Sequence, residues 1–181
     1  MSDEPRLAPL TDDELEGKAL ELMQPMIDSG RPWNIFRTIA RHPDLARRWM
    51  VFANHVLYKS TLPGRERELA ILRVGWLCQS EYEFSQHRVI GMDAGLSREE
   101  VEAVKEGSAA PGWSETDRLV LQATDELHEN KVIGDDTWAA LGEHFSDQQM
   151  MDLVFAVGQY TLVSMALRTL GVPLDDFLEG W

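Results

Sequence analysis

One stretch limits what this chain can become: residues 63–96, PGRERELAILRVGWLCQSEYEFSQHRVIGMDAGL, where acid and base groups are set into strongly apolar helical sequence. It reads as two helices joined by a tight turn. Leu69, Ile71, Leu72, Val74, Trp76 and Leu77 are too many for one narrow stripe, so the first helix is buried on most sides. Glu68 shares a face with Ile71, Leu72 and Gly75, and a carboxylate there is expensive to bury without a partner. Glu83 and His87 stand four apart on the second helix, the spacing at which a carboxylate and an imidazole meet. Ser80 and Glu83 also form an S-x-x-E pattern, so Glu83 is equally a candidate helix cap. For Glu68 the structural alternative is an arginine partner such as Arg73 or Arg37, and for His87 alone it is a satisfied core histidine.

The rest of the chain supplies a helical frame. Thr11 opens a T-D-D-E capping pattern, and a helix is expected from there to about Met23 or Met26, disturbed by Pro25. Trp33 and Phe36 anchor a loop, and Pro43 divides helices over 34–41 and 43–57. Phe52, His55 and Val56 share a face of the second, which makes His55 a candidate for the same hollow as His87. Gly95-Leu96 reads as a helix stop with its hydrophobic contact. Ser97, Ser114 and Ser146 open helices to about Glu106, Asn130 and Leu170, with a short one over 135–144. In the last helix Met151, Val154, Phe155, Gly158, Leu162, Met165, Ala166 and Thr169 form a broad apolar band. No alternating run suggests a strand, so the fold class is all-α, and the length fits a single domain, placed over 11–173. Residues 1–10 are expected as a flexible arm and 174–181 as a tail that docks or stays loose.

Charge and composition exclude several function classes. A net charge of −14 argues against a nucleic-acid or anionic-membrane partner, since both need a basic face. No apolar run reaches the roughly 20 residues of a bilayer span, and MSDEPRLAPL lacks the layout of a signal peptide. The expected location is the cytoplasm. The single cysteine, Cys78, rules out an intrachain disulfide framework. No Gly-rich phosphate loop and no G-x-S-x-G elbow appears.

RERELAILR, EYEFSQH and GMDAGLSREEVEAV, with a weaker echo in TLVSMALRTLGVP, resemble the carboxymuconolactone decarboxylase family, which also contains the alkylhydroperoxidase D-like proteins. The resemblance covers most of residues 60–173 and implies an alkylhydroperoxidase D-like helical bundle. In the peroxidase branch a Glu stands 19 positions before a His, with cysteines seven and four before that His; counting back from His87 gives Glu68, Ser80 and Glu83. In another register Glu66 and Cys78 keep the Glu-to-first-cysteine spacing, but Glu81 and Ser85 then replace the second cysteine and the His. No C-x-x-C survives in either. The decarboxylase branch also lacks the cysteines, and E-F-S-Q-H at 83–87 is similar to its Glu-to-His pattern. The resemblance further implies a homo-oligomer, a homotrimer or homohexamer, with sites close to subunit boundaries.

The chemistry expected is that of a cofactor-independent lyase or isomerase acting on a small organic acid or lactone. Losing carbon dioxide from a carboxylated lactone leaves an enolate, so catalysis needs charge stabilisation and a proton donor. His87 is the expected donor, with Glu68 and Glu83 orienting it and relaying protons. Arg65, Arg67, Arg73 and Arg88 are the candidate cations for an anionic substrate. Trp33, Trp76 and Tyr82 are candidate pocket walls, with Cys78 and His55 beside them as candidate substrate contacts. No cofactor is required, and two carboxylates with one histidine are too common a set to assign a metal. Two other readings compete: a thiol peroxidase using Cys78, which has no resolving thiol in the chain, and a noncatalytic oligomeric ligand-binding protein.

Overall fold

A computed structural model describes residues 4–181. Nine α-helices follow one another: α1 Gly17–Asp28, α2 Asn34–Ile39, α3 Pro43–Tyr58, α4 Gly64–Leu77, α5 Glu81–Asp93, α6 Arg98–Ala103, α7 Glu115–Asn130, α8 Asp135–Gly142 and α9 Asp147–Leu170, with no strand among the described residues. The local signals set most of these boundaries. Ser97, Ser114 and Ser146 each accept a backbone N–H in the first turn of α6, α7 and α9. At the end of α5, Gly95 takes a left-handed φ of 101° and the Leu96 N–H reaches back to the Gly91 carbonyl at 2.9 Å.

Helices α4, α5, α7 and α9 enclose the main core, built around Leu69, Ile71, Leu72, Phe84, Leu121 and Leu153. As expected from its composition, α4 is buried over nearly its whole length, from Glu68 to Gly75. Gly75 lets α5 approach: a Cβ there would stand 3.1 Å from Glu83 Cγ. A smaller cluster of Leu10, Leu15, Met23 and Ala40 joins the N-terminal segment to α1 and α2.

Three expectations change, and the tail, left open above, takes the docked form. The T-D-D-E box is present but caps only a short 3-10 turn, Asp12–Glu14; α1 is a separate helix that carries Pro25 inside its last turn. Part of the expected flexible arm is docked, with the Arg6 and Leu7 N–H groups on the Leu170 carbonyl and Leu10 buried; residues 1–3 lie outside the described residues. The tail is docked too. Asp175 accepts from the Asn34 N–H at 2.8 Å and the Tyr82 hydroxyl at 2.5 Å, and Trp181 packs 5.1 Å from Trp76. In α9 the band read from sequence faces largely outward, with Met151, Phe155, Leu162 and Met165 exposed, while Leu153, Ala156, Val157, Tyr160, Val163 and Leu167 face the core. Of the described helices α9 alone is long and apolar enough to cross a bilayer, and half of that window is buried in the bundle, as in a core helix.

Candidate active site

The acid–base cluster forms where α4 and α5 cross. His87 and Glu68, on different helices, meet at 2.7 Å between Nδ1 and Oε2, and the other Glu68 oxygen accepts from Arg67 Nε at 3.0 Å. Glu68 thus fixes the ring, accepting from Nδ1 in the tautomer that carries the proton there. The free ring nitrogen, Nε2, stands 3.7 Å from Glu83 Oε1. That is longer than a hydrogen bond, within the gap that catalytic contacts close when a substrate seats. The Tyr160 ring packs edge-on against the imidazole, centroids 4.6 Å apart, and holds its plane from the α9 side.

All three groups are out of water: Glu68 is 0% exposed, Glu83 2% and His87 4%. Glu83 differs from Glu68 in having no hydrogen-bond partner on either carboxylate oxygen among the described residues. Burial, with the Glu68 charge nearby as the lesser cause, pushes Glu83 well above the usual carboxylate range and favours its protonated form. Glu83 does not cap its helix. Ser80 accepts no backbone N–H at the start of α5, and its hydroxyl is buried without a partner. The S-x-x-E spacing is present, but the carboxyl is turned into the bundle.

Glu83 and His87 lie on the wall of a cavity of about 220 Å³ between α5, α9 and the N-terminal helices. Trp33, Phe36, Trp49, Leu57 and Tyr58 give it an apolar body, while Gln86, Gln159 and Tyr160 join the acid–base pair on the polar side. Burial also raises the Tyr160 phenol well above its ordinary value, which keeps it a neutral donor.

The structure brings together His87, Glu68, Glu83 and Tyr82, and Trp33 is on the wall as expected. Four other expected contacts lie elsewhere. The His55 side chain is 56% exposed and faces Asp152 at 3.8 Å, because α3 turns Val56 inward instead. Trp76 is taken up by Phe84 and Trp181. Arg73 is held by Asp125 at 2.6 Å and by the Val104 and Lys105 carbonyls. Cys78 ends α4 with its sulfur 3.9 Å from His128 Nδ1, and burial pushes its thiol up, the opposite of an activated nucleophile. Of the remaining candidate cations, Arg65 binds Glu100 and Asp117, Arg67 binds Glu68, and Arg88 binds the carbonyls of Glu179 and Gly180. None of these four arginines lines the cavity. Sequence reasoning missed Gln86, Gln159 and Tyr160; Gln86 was within reach, one residue before His87, but the two α9 residues carry no local signal. Among the described residues no group of three or more His, Cys, Asp and Glu is arranged to hold a metal ion.

The helical bundle has the alkylhydroperoxidase D-like fold. Residues 43–126, a little under half of the chain, match the model of the carboxymuconolactone decarboxylase family. No curated protein matches it. Among solved structures it is similar to an uncharacterized peroxidase-related protein from Silicibacter sp., at a TM-score of 0.83 and 14% identity, covering 97% of this chain and 96% of that one. A peroxidase-related protein with an alkylhydroperoxidase AhpD core from Ralstonia eutropha gives 0.78 and 18%, covering 94% and 93%. A cysteine-to-alanine variant of the debrominase Bmp8, in complex with 2,3,4-tribromopyrrole, gives 0.77 and 14%, covering 94% and 91%. At such identities the likeness shows the fold alone.

Proposed function

We propose that this protein is a cofactor-independent acid–base enzyme of the decarboxylase type, a lyase or isomerase acting on a small lactone or unsaturated organic acid. One observation carries the reading: an unpartnered, buried Glu83 and a Glu68-anchored His87 stand side by side on the wall of a largely apolar cavity. Buried polar groups without partners are rare, and at a cavity wall they await a ligand or a proton transfer.

In a decarboxylation the bond to the carboxylate carbon breaks, its electron pair passes into an enolate, and carbon dioxide leaves. A proton must then reach carbon. Glu83 holds that proton. His87, oriented by Glu68, sits where it can restore the proton to Glu83 after transfer. Tyr160 and Gln159 are the neutral donors on the same wall for the enolate oxygen. An isomerisation uses the same parts, with the proton removed and returned at different carbons.

The test is a panel of lactones and unsaturated acids, followed for released carbon dioxide and for deuterium taken up from solvent. Turnover that is lost in His87→Ala and retained in Cys78→Ser supports the acid–base route. Turnover of a hydroperoxide with a dithiol that vanishes in Cys78→Ser supports the thiol route instead. Identical behaviour of the parent, Glu68→Gln and His87→Ala leaves a ligand-binding protein.

Self-association belongs to the same reading. The exposed face of α9 presents Met151, Phe155, Gly158, Leu162 and Met165 at alternating spacings of four and three, the repeat of a helix–helix seam. Light scattering is expected to give an oligomer for the parent and a smaller species for Leu162→Glu. A cytoplasmic setting fits the lone free thiol of Cys78, which stays reduced there.

A further inference from the structure

The cavity has a size, a charge and a set of unsatisfied atoms, and together they describe what would fill it. An engineered apolar cavity of about 150 Å³ takes benzene, so about 220 Å³ leaves room for a substituted single ring or a small fused pair. Trp33, Phe36, Trp49 and Tyr58 wall it, and the faces of flat rings pack on such side chains. Among atoms of wall residues, three kinds of buried polar atom have no partner among the described residues: both Glu83 oxygens, Gln86 Oε1 and Trp49 Nε1. None of these atoms is open to the cavity at rest; after a small side-chain turn Gln86 Oε1 can take a donor, Trp49 Nε1 an acceptor, and a protonated Glu83 either.

Among the described residues no buried cation on the cavity wall answers a carboxylate. Arg65, Arg67, Arg73 and Arg88 are each held by acids or carbonyls outside the cavity. The one arginine of the lining, Arg31, is solvent-exposed in the segment before Trp33. A second carboxylate on the ligand would meet apolar wall or the Glu68–Glu83 side, and an ion taken out of water without a partner is strongly disfavoured.

Resting on the acid–base reading of the site and narrowing it, we propose that the ligand is an uncharged, flat ring compound carrying a hydroxyl or N–H beside a carbonyl-type acceptor, and that dicarboxylates are turned away. Enolisable ring ketones and uncharged lactones are then the substrate class. The chemistry is proton transfer next to the carbonyl, moved from one ring position to another with no group lost.

Maltol and chelidonate separate the alternatives: both are 4-pyrones, the first a neutral ring with adjacent hydroxyl and carbonyl, the second a dianion. Calorimetric titration is expected to show maltol binding at least about tenfold tighter than chelidonate. Ala53→Trp, which fills the cavity from α3, should abolish maltol binding. Gln86→Leu, which removes an oxygen that has no partner to lose, should weaken it about tenfold while keeping the parent's melting temperature. Chelidonate binding as tightly as maltol, neither compound binding, or maltol unaffected by both variants overturns the proposal. Maltol binding that persists while no compound in the panel exchanges a proton through His87 would sink the acid–base reading and leave the ligand class standing.

Discussion

Helix α4 carries charge on two faces, and the two faces treat it in opposite ways. Toward α6 and α7 it presents Arg65 and Arg73. Arg65 reaches Glu100 at 2.5 Å and Asp117 at 3.1 Å, and Arg73 reaches Asp125 and two backbone carbonyls. Every charge on that face has a partner of opposite sign or a carbonyl, and the Arg65 hydrogen bond holds Glu100 below the usual carboxylate range. Toward α5 it presents Glu68 and Gly75, and there the partners run out: Glu68 is matched by Arg67 and His87, but Glu83 has none. Both faces are largely shielded from water. A buried group with all its partners holds the fold; a buried group with unmet hydrogen-bonding capacity beside a cavity is poised for something outside the chain.

The contrast breaks first at His87. On the α5 face, His87→Ala is expected to lower turnover about a thousandfold, within the range of a lost acid–base group, and to cost about 2 kcal/mol of stability, because Glu68 keeps Arg67 on one oxygen but loses its partner on the other. Steady-state rates at matched folded fractions check it. If Arg73→Met lowers turnover as much, the division between the faces fails. Arg73→Met should instead act on stability. It strands Asp125 and the carbonyls of Val104 and Lys105, and breaking a shielded pair of this kind costs about 3 kcal/mol. Denaturant unfolding reads that directly.

Glu83→Gln sharpens the comparison through pH. The folded-state pKa of Glu83 lies above its ordinary 4.5, so the folded protein binds the extra proton. Its contribution to stability is whole below that unfolded value and is lost as pH rises from there toward the folded value. The slope approaches about 1.4 kcal/mol per pH unit inside that window. The parent should therefore lose stability between mildly acid and neutral pH, and Glu83→Gln should flatten the curve. A parent curve already flat over that range would mean that Glu83 is ionised and paired.

How much of this could be read from sequence follows from how local each signal is. Ser97, Ser114 and Ser146 announce their helices because a cap is satisfied within three residues. Glu83 and His87 are legible for the same reason, being one turn apart, and the family resemblance carried the reading across to Glu68. Arg73 and Asp125 are 52 positions apart, and no pattern at either end says that they meet. Helix α9 misled because both of its faces are apolar; periodicity finds a stripe but does not say which one meets the core, and the stripe singled out is the exposed one. The S-x-x-E at 80–83 misled in another way, since a carboxyl that can bond a helix start can also be turned inward when Gly75 lets the helices close up. The cavity itself draws its walls from α2, α3, α5 and α9, so no single segment contains it.

The smallest expected effect tests the border between the two kinds of site. Tyr82 lines the cavity, yet its hydroxyl is fully occupied: it donates to Asp175 and accepts the Ile35 N–H at 3.4 Å. Burial, reinforced by Asp175, raises the phenol above its ordinary value, so it stays a donor across the working range. By the rule drawn from α4, a satisfied group is structural even when it touches the cavity. Tyr82→Phe should then cost about 2 kcal/mol, because the bond to the Asp175 carboxyl and the long one from the Ile35 N–H are both lost while Asp175 keeps the Asn34 N–H. Turnover should fall less than about threefold, as ring packing survives. A loss of turnover comparable to that of His87→Ala, at a stability change this small, would put the phenol among the reacting groups. It would also show that partner count alone does not separate the groups that hold this fold from those that use it.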